Sequence, residues 1–401
     1  MTSAPDAPGS SRVVTIGETM ALVSVPANGL VRGPAPIGMG GAESNVAIGL
    51  ARLGTPVTWI SRLGDDALGA FVRREIRAEG VTVLAAADPD APTGLMLKEL
   101  RGGKPSRVRY YRAGSASSRM TPEDIADEAV AAAEVLHVTG ITLALGPGPR
   151  AAVAHAIAVA RAAGTLVSLD VNHRRTLWTD IEARAVLTGL LPSVDLLFAG
   201  PEEAALLLDR PAPGVPFSDG RPAAHRADSV AKEADSATAR ADLAAGGSDS
   251  VTASADLVAE GSDSAMARAD FAAEGVGSAT AGADPGAGWD AGAELAAALA
   301  KFGPATVVVK LGALGALAFA GGEVVHGESE PRAVVDPVGA GDAFVAGYLA
   351  ALGDGAAVAR CLATGNEAGG RVVTVPGDWE GLPFAAELSV SAEQAEQEVI
   401  R

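Results

Sequence analysis

The sequence predicts an α/β fold, a mostly parallel sheet with helices on both faces, and three observations predict it. Short apolar runs alternate with helical patterns along most of the chain, with strands at 13–16, 55–60, 135–138, 166–170, 194–198 and 306–310 and helices at 149–163, 181–190 and 201–208. Four polar clusters, 170–174, Glu202 with Glu203, 310–315 and 339–342, fall at the carboxyl ends of such strands. Open α/β sheets bind their ligands there. The third observation is the stretch Asp336-Pro337-Val338-Gly339-Ala340-Gly341-Asp342-Ala343-Phe344. The apolar run 333–335 precedes it, and a helical pattern with Val345, Tyr348, Leu349 and Leu352 follows. It reads as strand, glycine turn and helix.

That turn suits an anion. Its glycines let the backbone come close to a ligand. The first helical amides lack intrahelical partners and carry the positive end of the dipole, so phosphate is the expected guest. Asp342, in the first turn, is placed to take a proton from an attacking hydroxyl. An acidic residue there is also an ordinary dipole partner, and the stretch alone leaves both roles open. It is not a P-loop, which needs Lys and Ser or Thr after the last glycine. It is not a dinucleotide turn either, because Phe344 stands where the third glycine belongs.

In chain order, residues 1–11 are polar, Pro-containing and without an apolar core, so a disordered N-terminus is expected. The glycine-dense loop 38–45 feeds a helix whose apolar face carries Val46, Leu50 and Leu53 and which Gly54 stops. Gly64-Asp65-Asp66 opens the next helix, with the two Asp residues as caps. Residues 95–100 and 108–111 flank Gly102-Gly103 as a hairpin. It ends in Tyr110-Tyr111-Arg112, readable as cross-strand packing with a solvated Arg or as a clamp on a small anion. A helical pattern at 292–302 leads into the strand at 306. Beyond 385 the chain is an acidic tail.

The bulk numbers exclude several functions. With 401 residues and 48% apolar content, the chain can build one large α/β domain, its core mainly Ala, Val and Leu because aromatics are 4%. A net charge of −18 argues against nucleic acid and anionic membranes as partners. The one cysteine, Cys361, allows no internal disulfide, fits a cytoplasmic location and reads as a small core residue. The 5 histidines show no zinc-like spacing. No apolar run is long enough for a membrane span.

Residues 211–289 break the α/β rhythm. Ala-Asp recurs at 227, 241, 255, 269 and 283, a period of 14. From Arg226 to Asp284 there are 11 acids and 4 bases, and each unit carries only one or two large apolar residues. Such a segment buries too little to offset its ordering entropy. It is expected to be a low-complexity surface insertion, leaving 12–210 and 290–385 as one domain. A docking surface for a partner is the weaker alternative.

With these pieces placed, the sequence resembles the ribokinase-like (PfkB) carbohydrate kinases. The resemblance rests on Gly40-Gly41-Ala42-Glu43-Ser44-Asn45-Val46-Ala47, continuing to Gly64-Asp65-Asp66-Ala67-Leu68-Gly69, and on the D-x-x-G-A-G-D pattern of Asp336 to Asp342. Within that family, Gly40 to Glu43, Tyr110 to Ala116, Asp170 to Arg174 with Leu177-Trp178, and Asp336 to Val338 resemble the 2-keto-3-deoxygluconate kinases. The resemblance implies a ribokinase-like sheet with a small β lid formed near 18–40 and 93–112, through which members often assemble as homo-oligomers. It implies ATP and Mg²⁺, and phosphorylation of a terminal hydroxyl of a sugar acid. Asp342 would be the general base, and the amides of Gly339, Ala340 and Gly341 the anion hole. Gly40, Gly41, Asn45, Tyr110, Arg112, Arg174 and Asp378 would hold the sugar acid. Asn172, Lys310, Gly312, Gly315 and Asn366, with Gly339 and Gly341, would border the nucleotide. Glu203 would organise Mg²⁺ through water.

Three positions depart from the family pattern. Gly200 stands where Asn or a hydroxyl residue is usual, Met96 where a sugar-contacting Tyr is common, and His173 beside Arg174 where Tyr is common. The rival enzyme is a kinase of the same fold for 2-keto-3-deoxygalactonate, fructose or ribose. A neutral sugar would leave the Arg112 and Arg174 pair without a purpose. The rival of another class is a catalytically silent sugar-acid sensor with the insertion as its interaction arm. The intact Gly339, Gly341 and Asp342 argue against it.

Overall fold

The structure is a computed structural model and describes residues 11–27, 34–101, 104–212 and 285–388. The expected disordered N-terminus, nearly all of the repeat insertion and most of the acidic tail lie outside the described residues. The strands are β1 (Val13–Ile16), β2 (Met20–Pro26), β3 (Ile37–Gly40), β4 (Val57–Gly64), β5 (Thr82–Asp88), β6 (Leu95–Arg101), β7 (Lys104–Tyr111), β8 (Val135–Thr139), β9 (Leu166–Asp170), β10 (Leu196–Ala199), β11 (Thr306–Lys310), β12 (Gly315–Ala320) and β13 (Glu323–Glu328). The helices are α1 (Ala42–Arg52), α2 (Ala67–Ala78), α3 (Asp127–Ala132), α4 (Gly140–Ala144), α5 (Pro147–Ala163), α6 (Asp180–Leu190), α7 (Pro201–Leu207), α8 (Pro285–Ala300), α9 (Ala340–Gly353) and α10 (Val358–Val372).

Nine strands form the main sheet in the order β13-β12-β11-β10-β9-β8-β1-β4-β5. From β5 to β11 every neighbouring pair is parallel. The hairpin β12–β13 adds two antiparallel strands at one edge. The period of two along each strand splits the core. Val14, Ile16, Leu136, Val138, Leu197, Ala199, Val307 and Val309 face α3, α5, α6, α7 and α8. Val13, Val135, Leu196, Phe198 and Val308 face α1, α2, α9 and α10. Both faces are covered, as a parallel sheet requires. The chain runs from β1 outward to β4 and β5, then returns to β8 on the other side of β1. That reversal opens a crevice beyond the carboxyl ends of the central strands.

Local signals set the helix ends. Asp66 caps α2, its Oδ1 accepting from Gly69 N at 2.7 Å, as the sequence predicts. Pro147 starts α5, and Gly164 ends it in the left-handed region at φ 83°. Cys361 is buried in the core, as expected.

The second sheet has the order β3-β2-β6-β7 and matches the strand lid that the resemblance implies. Its β2 and β6 are parallel, and its outer pairs antiparallel. Its buried apolar cluster is small, Met20, Leu22 and Met96 with Val108 against them. So few buried side chains give the sheet little core of its own, and it depends on its contacts with the main body.

Three expectations are corrected. Residues 333–335 are not a strand. Val334 and Val335 are exposed, and the N–H groups of Val335 and Asp336 donate to Val373 O, at the end of α10, instead of joining a sheet edge. The helix expected at 292–302 spans Pro285–Ala300, and Phe302 lies beyond it, exposed. The segment after Lys310 is not only a turn: it continues into the β12–β13 hairpin, which closes at Gly321 and Gly322, both at positive φ.

Candidate active site

The ends of five elements meet at the carboxyl edge of the sheet. Strand β9 delivers Asp170 and β11 delivers Lys310, whose Nζ bonds both Asp170 oxygens at 2.9 and 2.7 Å. Burial pushes the Lys310 ammonium down, but Asp170 and Glu203 more than offset it, and its pKa is raised. Past β9 the backbone turns at Asn172, a non-glycine residue at φ 37°, and leads to Arg174. The first turn of α7 supplies Glu203. Its oxygens accept from Gly200 N at 2.7 Å and His173 N at 2.8 Å, tying the β9 and β10 loops together.

The glycine turn enters α9 from Gly339, its N-cap, at φ 80°. A Cβ at Gly339 would run into Asp378 O, so glycine is required there on two counts. A Cβ at Gly341 would lie 3.5 Å from Lys310 Nζ. The turn and the Lys310–Asp170 pair are therefore neighbours, and the first-turn amides of α9 have a cation beside them.

Asp342 follows in that first turn. Its Oδ2 accepts from Asn45 Nδ2, on α1, at 2.8 Å. The carboxyl keeps part of its surface open to the cleft, yet protein surrounds it closely enough to strip most of its hydration. Burial lifts its pKa to about 7. Asn45, Arg174 and Lys310 lower it, and Asp170 raises it. A carboxyl group with its pKa near neutrality, in the first turn of a helix after a glycine turn, can exchange a proton at neutral pH. Arg174 thus acts on Asp342 through its charge.

Beneath Asn45, α1 also buries Glu43. Its Oε1 accepts from Thr139 and Thr142 hydroxyls at 2.6 Å each. Burial lifts its pKa to about 7 as well. Gly17 must be glycine because the Glu43 carboxyl occupies the place of a Cβ.

The small sheet faces this edge. Gly40 ends β3, and a Cβ there would strike Asp378 Oδ2; one at Gly41 would strike Glu18 O. Lys98, inward on β6, bonds Asp378 Oδ1 at 2.7 Å and lies 3.4 Å from Asp336 Oδ2. Tyr110 pairs with Met96 across β6 and β7. Arg112 lies over the Tyr110 ring at 4.9 Å, with its Nε 3.1 Å from the buried Glu18 carboxylate. Of the packing reading, the cross-strand pairing of Tyr110 holds and the solvated Arg is corrected, since the guanidinium is paired with Glu18. Ser115 donates to the other Glu18 oxygen at 3.0 Å.

Along the other side, Gly312 is at φ 62° with open space where a Cβ would be. Gly315, at φ 111°, packs against Gly327 O. Asn366 donates from Nδ2 to Gly327 O at 2.7 Å and Glu328 O at 3.2 Å, fastening α10 to β13. Its amide nitrogen is thus committed to the protein.

Glu203, Gly339 to Asp342, Asn172, Arg174 and Lys310 thus share the sheet edge, and Asn45 joins them from α1. Gly40, Gly41, Asp378, Tyr110 and Arg112 border the small sheet. Sequence reasoning missed Lys98, Glu18 and the Thr139–Glu43–Thr142 group. Only Lys98 left a signal: it is the charged residue on the same strand face as Met96.

Among the described residues no cluster of three or more His, Cys, Asp or Glu side chains forms a metal cage. Mg²⁺ does not need one, since it keeps several waters and is shared with phosphate. Each Glu203 oxygen accepts one N–H and has capacity for a further water, so the donor set fits an outer contact.

The sequence matches the pfkB family carbohydrate kinase profile over residues 10–233 and 279–385. It is 30% identical over 386 residues to a 2-dehydro-3-deoxygluconokinase of Bacillus subtilis, covering 94% of each chain. A 2-dehydro-3-deoxygalactonokinase of Haloferax volcanii is 35% identical over 209 residues, 51% of this chain and 66% of that one. The crystal structure of a PfkB protein from Polaromonas superposes with a TM-score of 0.68 at 28% identity, covering 94% of this chain and 99% of the other. With a profile match over most of its length, a parallel sheet of this order and the glycine turn at its edge, the chain belongs to the pfkB family of carbohydrate kinases.

Proposed function

We propose that this kinase transfers the γ-phosphoryl group of ATP to the terminal hydroxyl of a 2-keto-3-deoxy sugar acid, 2-keto-3-deoxygluconate first. The observation that carries it is Asp342, held by Asn45 in the first turn of α9 beside the amides of 339–341 and lifted to about 7 by burial. In this reading the sugar lies between the small sheet and the turn. Its terminal oxygen attacks the γ-phosphorus in line, a new P–O bond forms and the bond to the ADP oxygen breaks. Asp342 takes the hydroxyl proton. The amides of Gly339, Ala340 and Gly341 and the ammonium of Lys310 stabilise the charge of the transferring group. Mg²⁺ bound with ATP would neutralise phosphate charge, held through water by Glu203. Gly312, Gly315, Asn172 and Asn366 border the nucleotide in this reading, and Arg174 faces the acid or the phosphate.

The sugar acid is supported by the names of the relatives and by Arg174 at the sheet edge, while Arg112 is already paired with the buried Glu18. The Haloferax relative keeps a second substrate in view, 2-keto-3-deoxygalactonate. An assay of ADP release with Mg²⁺-ATP on both keto-deoxy acids, fructose and ribose tests the reading. Turnover confined to the keto-deoxy acids is expected. Turnover of fructose or ribose alone would overturn the substrate class, and ATP binding without turnover of any sugar would turn the reading towards a sensor.

A further inference from the structure

We propose that Lys98 is a positioning residue for sugar binding: reaching in from the small sheet, its ammonium aims the Asp378 carboxylate at the sugar and ties it, through Asp336, to the start of the catalytic turn. The proposal rests on the reading that Asp378 contacts the sugar, but not on which sugar is bound.

Lys98 is an odd residue for its place. Strand β6 alternates, and its inward face carries Met96 and Lys98, each 5% exposed. A buried ammonium is costly unless paired and hydrogen-bonded. Its two partners come from segments far away in sequence. Asp378 Oδ1 is at 2.7 Å and Asp336 Oδ2 at 3.4 Å. Both carboxylates are themselves buried, Asp336 1% and Asp378 7% exposed. Asp336 in turn accepts from Val338 N at 3.2 Å and Gly377 N at 3.3 Å, so it holds both the catalytic turn and the 376–381 loop.

Asp378 is the hub of the arrangement. Its Oδ2 fills the place of a Cβ on Gly40 in the small sheet, and its backbone oxygen fills the place of a Cβ on Gly339 in the turn. A shift of the Asp378 carboxylate would therefore move the sugar side, and only a shift of its backbone would move the anion turn. Lys98 is the side chain that fixes its carboxylate, since among the described residues it is the one that bonds Oδ1.

The charges facing Asp378 from each neighbouring segment are Lys98 on β6, Asp336 before α9, and Glu380 on its own loop. Glu380 Oε2 accepts from Asp378 N at 2.9 Å. Burial lifts the Asp378 carboxyl above its ordinary range; Lys98 opposes that, while Glu380 and Asp336 add to it. Without Lys98, Asp378 would sit buried between two acids and take up a proton at higher pH. A protonated, unaimed Asp378 would hold the sugar poorly.

The test uses the full chain. Lys98→Met is expected to raise the sugar KM by on the order of tenfold to a hundredfold, the range for a lost hydrogen bond between charged groups. The KM for ATP should stay within about twofold, since uncharged Met leaves Lys310 and the turn amides in place. The acid limb of the pH profile of kcat/KM for sugar that belongs to Asp378 should move up by about one unit or more. Lys98→Arg should leave that limb in place, and Asp378→Asn should remove it and raise the sugar KM. A purely structural Lys98 would lower Tm without moving the limb, and that result overturns the proposal. Should Lys98→Met fail to fold, the other two variants decide: a limb that moves in Lys98→Arg, or a wild-type sugar KM in Asp378→Asn, overturns it equally. If the substrate panel returns a different sugar, the same measurements apply with that sugar, so the two readings fail separately.

Discussion

In the proposed reading, the phosphate side and the sugar side of this site are built by different means. On the phosphate side, backbone does most of the work: Gly339 at φ 80° turns the chain into α9, and β9 and β11 set Asp170 and Lys310 at strand ends on either side of β10. On the sugar side, side chains cross from a thin sheet to the body. Lys98 reaches Asp378 over 280 residues of sequence, and Arg112 reaches Glu18. The first arrangement inherits the rigidity of a nine-stranded sheet. The second is held by a few ion pairs around a small apolar cluster. A site of this kind can keep its phosphoryl-transfer geometry fixed while the sugar side varies.

The largest effect expected is on the phosphate side. Asp342→Asn should lower kcat by about 10²–10⁴-fold, the usual range for a general base, with sugar and ATP still bound. Steady-state kinetics together with calorimetric binding would check it, and retained turnover would remove Asp342 from that role. The pH dependence follows. Asp342 must be ionised to accept a proton, and burial holds its pKa at about 7. As pH falls below about 7 the carboxylate protonates, so kcat/KM should fall on the acid side. The Asn45 bond lowers that pKa. Asn45→Ala should therefore move the limb to higher pH. A limb that stays in place would belong to another group, such as Glu43, which burial also lifts to about 7.

On the sugar side the effect is shared between stability and binding. Arg112→Met removes the ion-pair partner of the buried Glu18, to which Ser115 still donates, and breaking a buried pair costs about 3–5 kcal/mol. Arg112 keeps some exposure, which puts the expectation at the lower end of that range. The loss should appear as a lower urea midpoint. Adding Glu18→Gln removes the orphaned charge and should recover part of that stability. The sugar KM should stay high in the double variant. Recovery of both together would make Arg112 a structural residue only.

The same contrast explains what the sequence revealed. The parallel sheet was legible because apolar period and strand length are local properties, and the turn because 339–342 is a contiguous pattern. The strand before it was misread: residues 333–335 are apolar, but no sheet edge is there to pair with, and Val373 O takes their amides instead. The β12–β13 hairpin was not legible, since Gly321-Gly322 marks a hairpin turn only once β11 offers an edge for β12 to pair with. Lys98, Glu18 and Thr139 acquire their roles from partners dozens to hundreds of residues away, and no local pattern encodes such a pairing. Asp378 was reached only through the family resemblance.

The smallest effect is expected from the repeat insertion. The family profile passes over residues 234–278, and the matched segments on either side contain every residue assigned to the site. Helix α7 begins at the carboxyl edge with Pro201 and runs to Leu207, so it carries the chain away from that edge before the insertion starts. Helix α8 then returns the chain into β11, packing Leu295 and Leu299 on the face that α7 also covers. The repeat units carry few large apolar residues and a net charge of −7 between 226 and 284, which gives them little to bury against that face. Deleting residues 226–284 should leave kcat/KM for the sugar within about twofold, as expected for a change distant from the site. A collapse of kcat/KM with Tm unchanged would bring the insertion into the catalytic cycle and break the division between a fixed phosphate side and a variable sugar side.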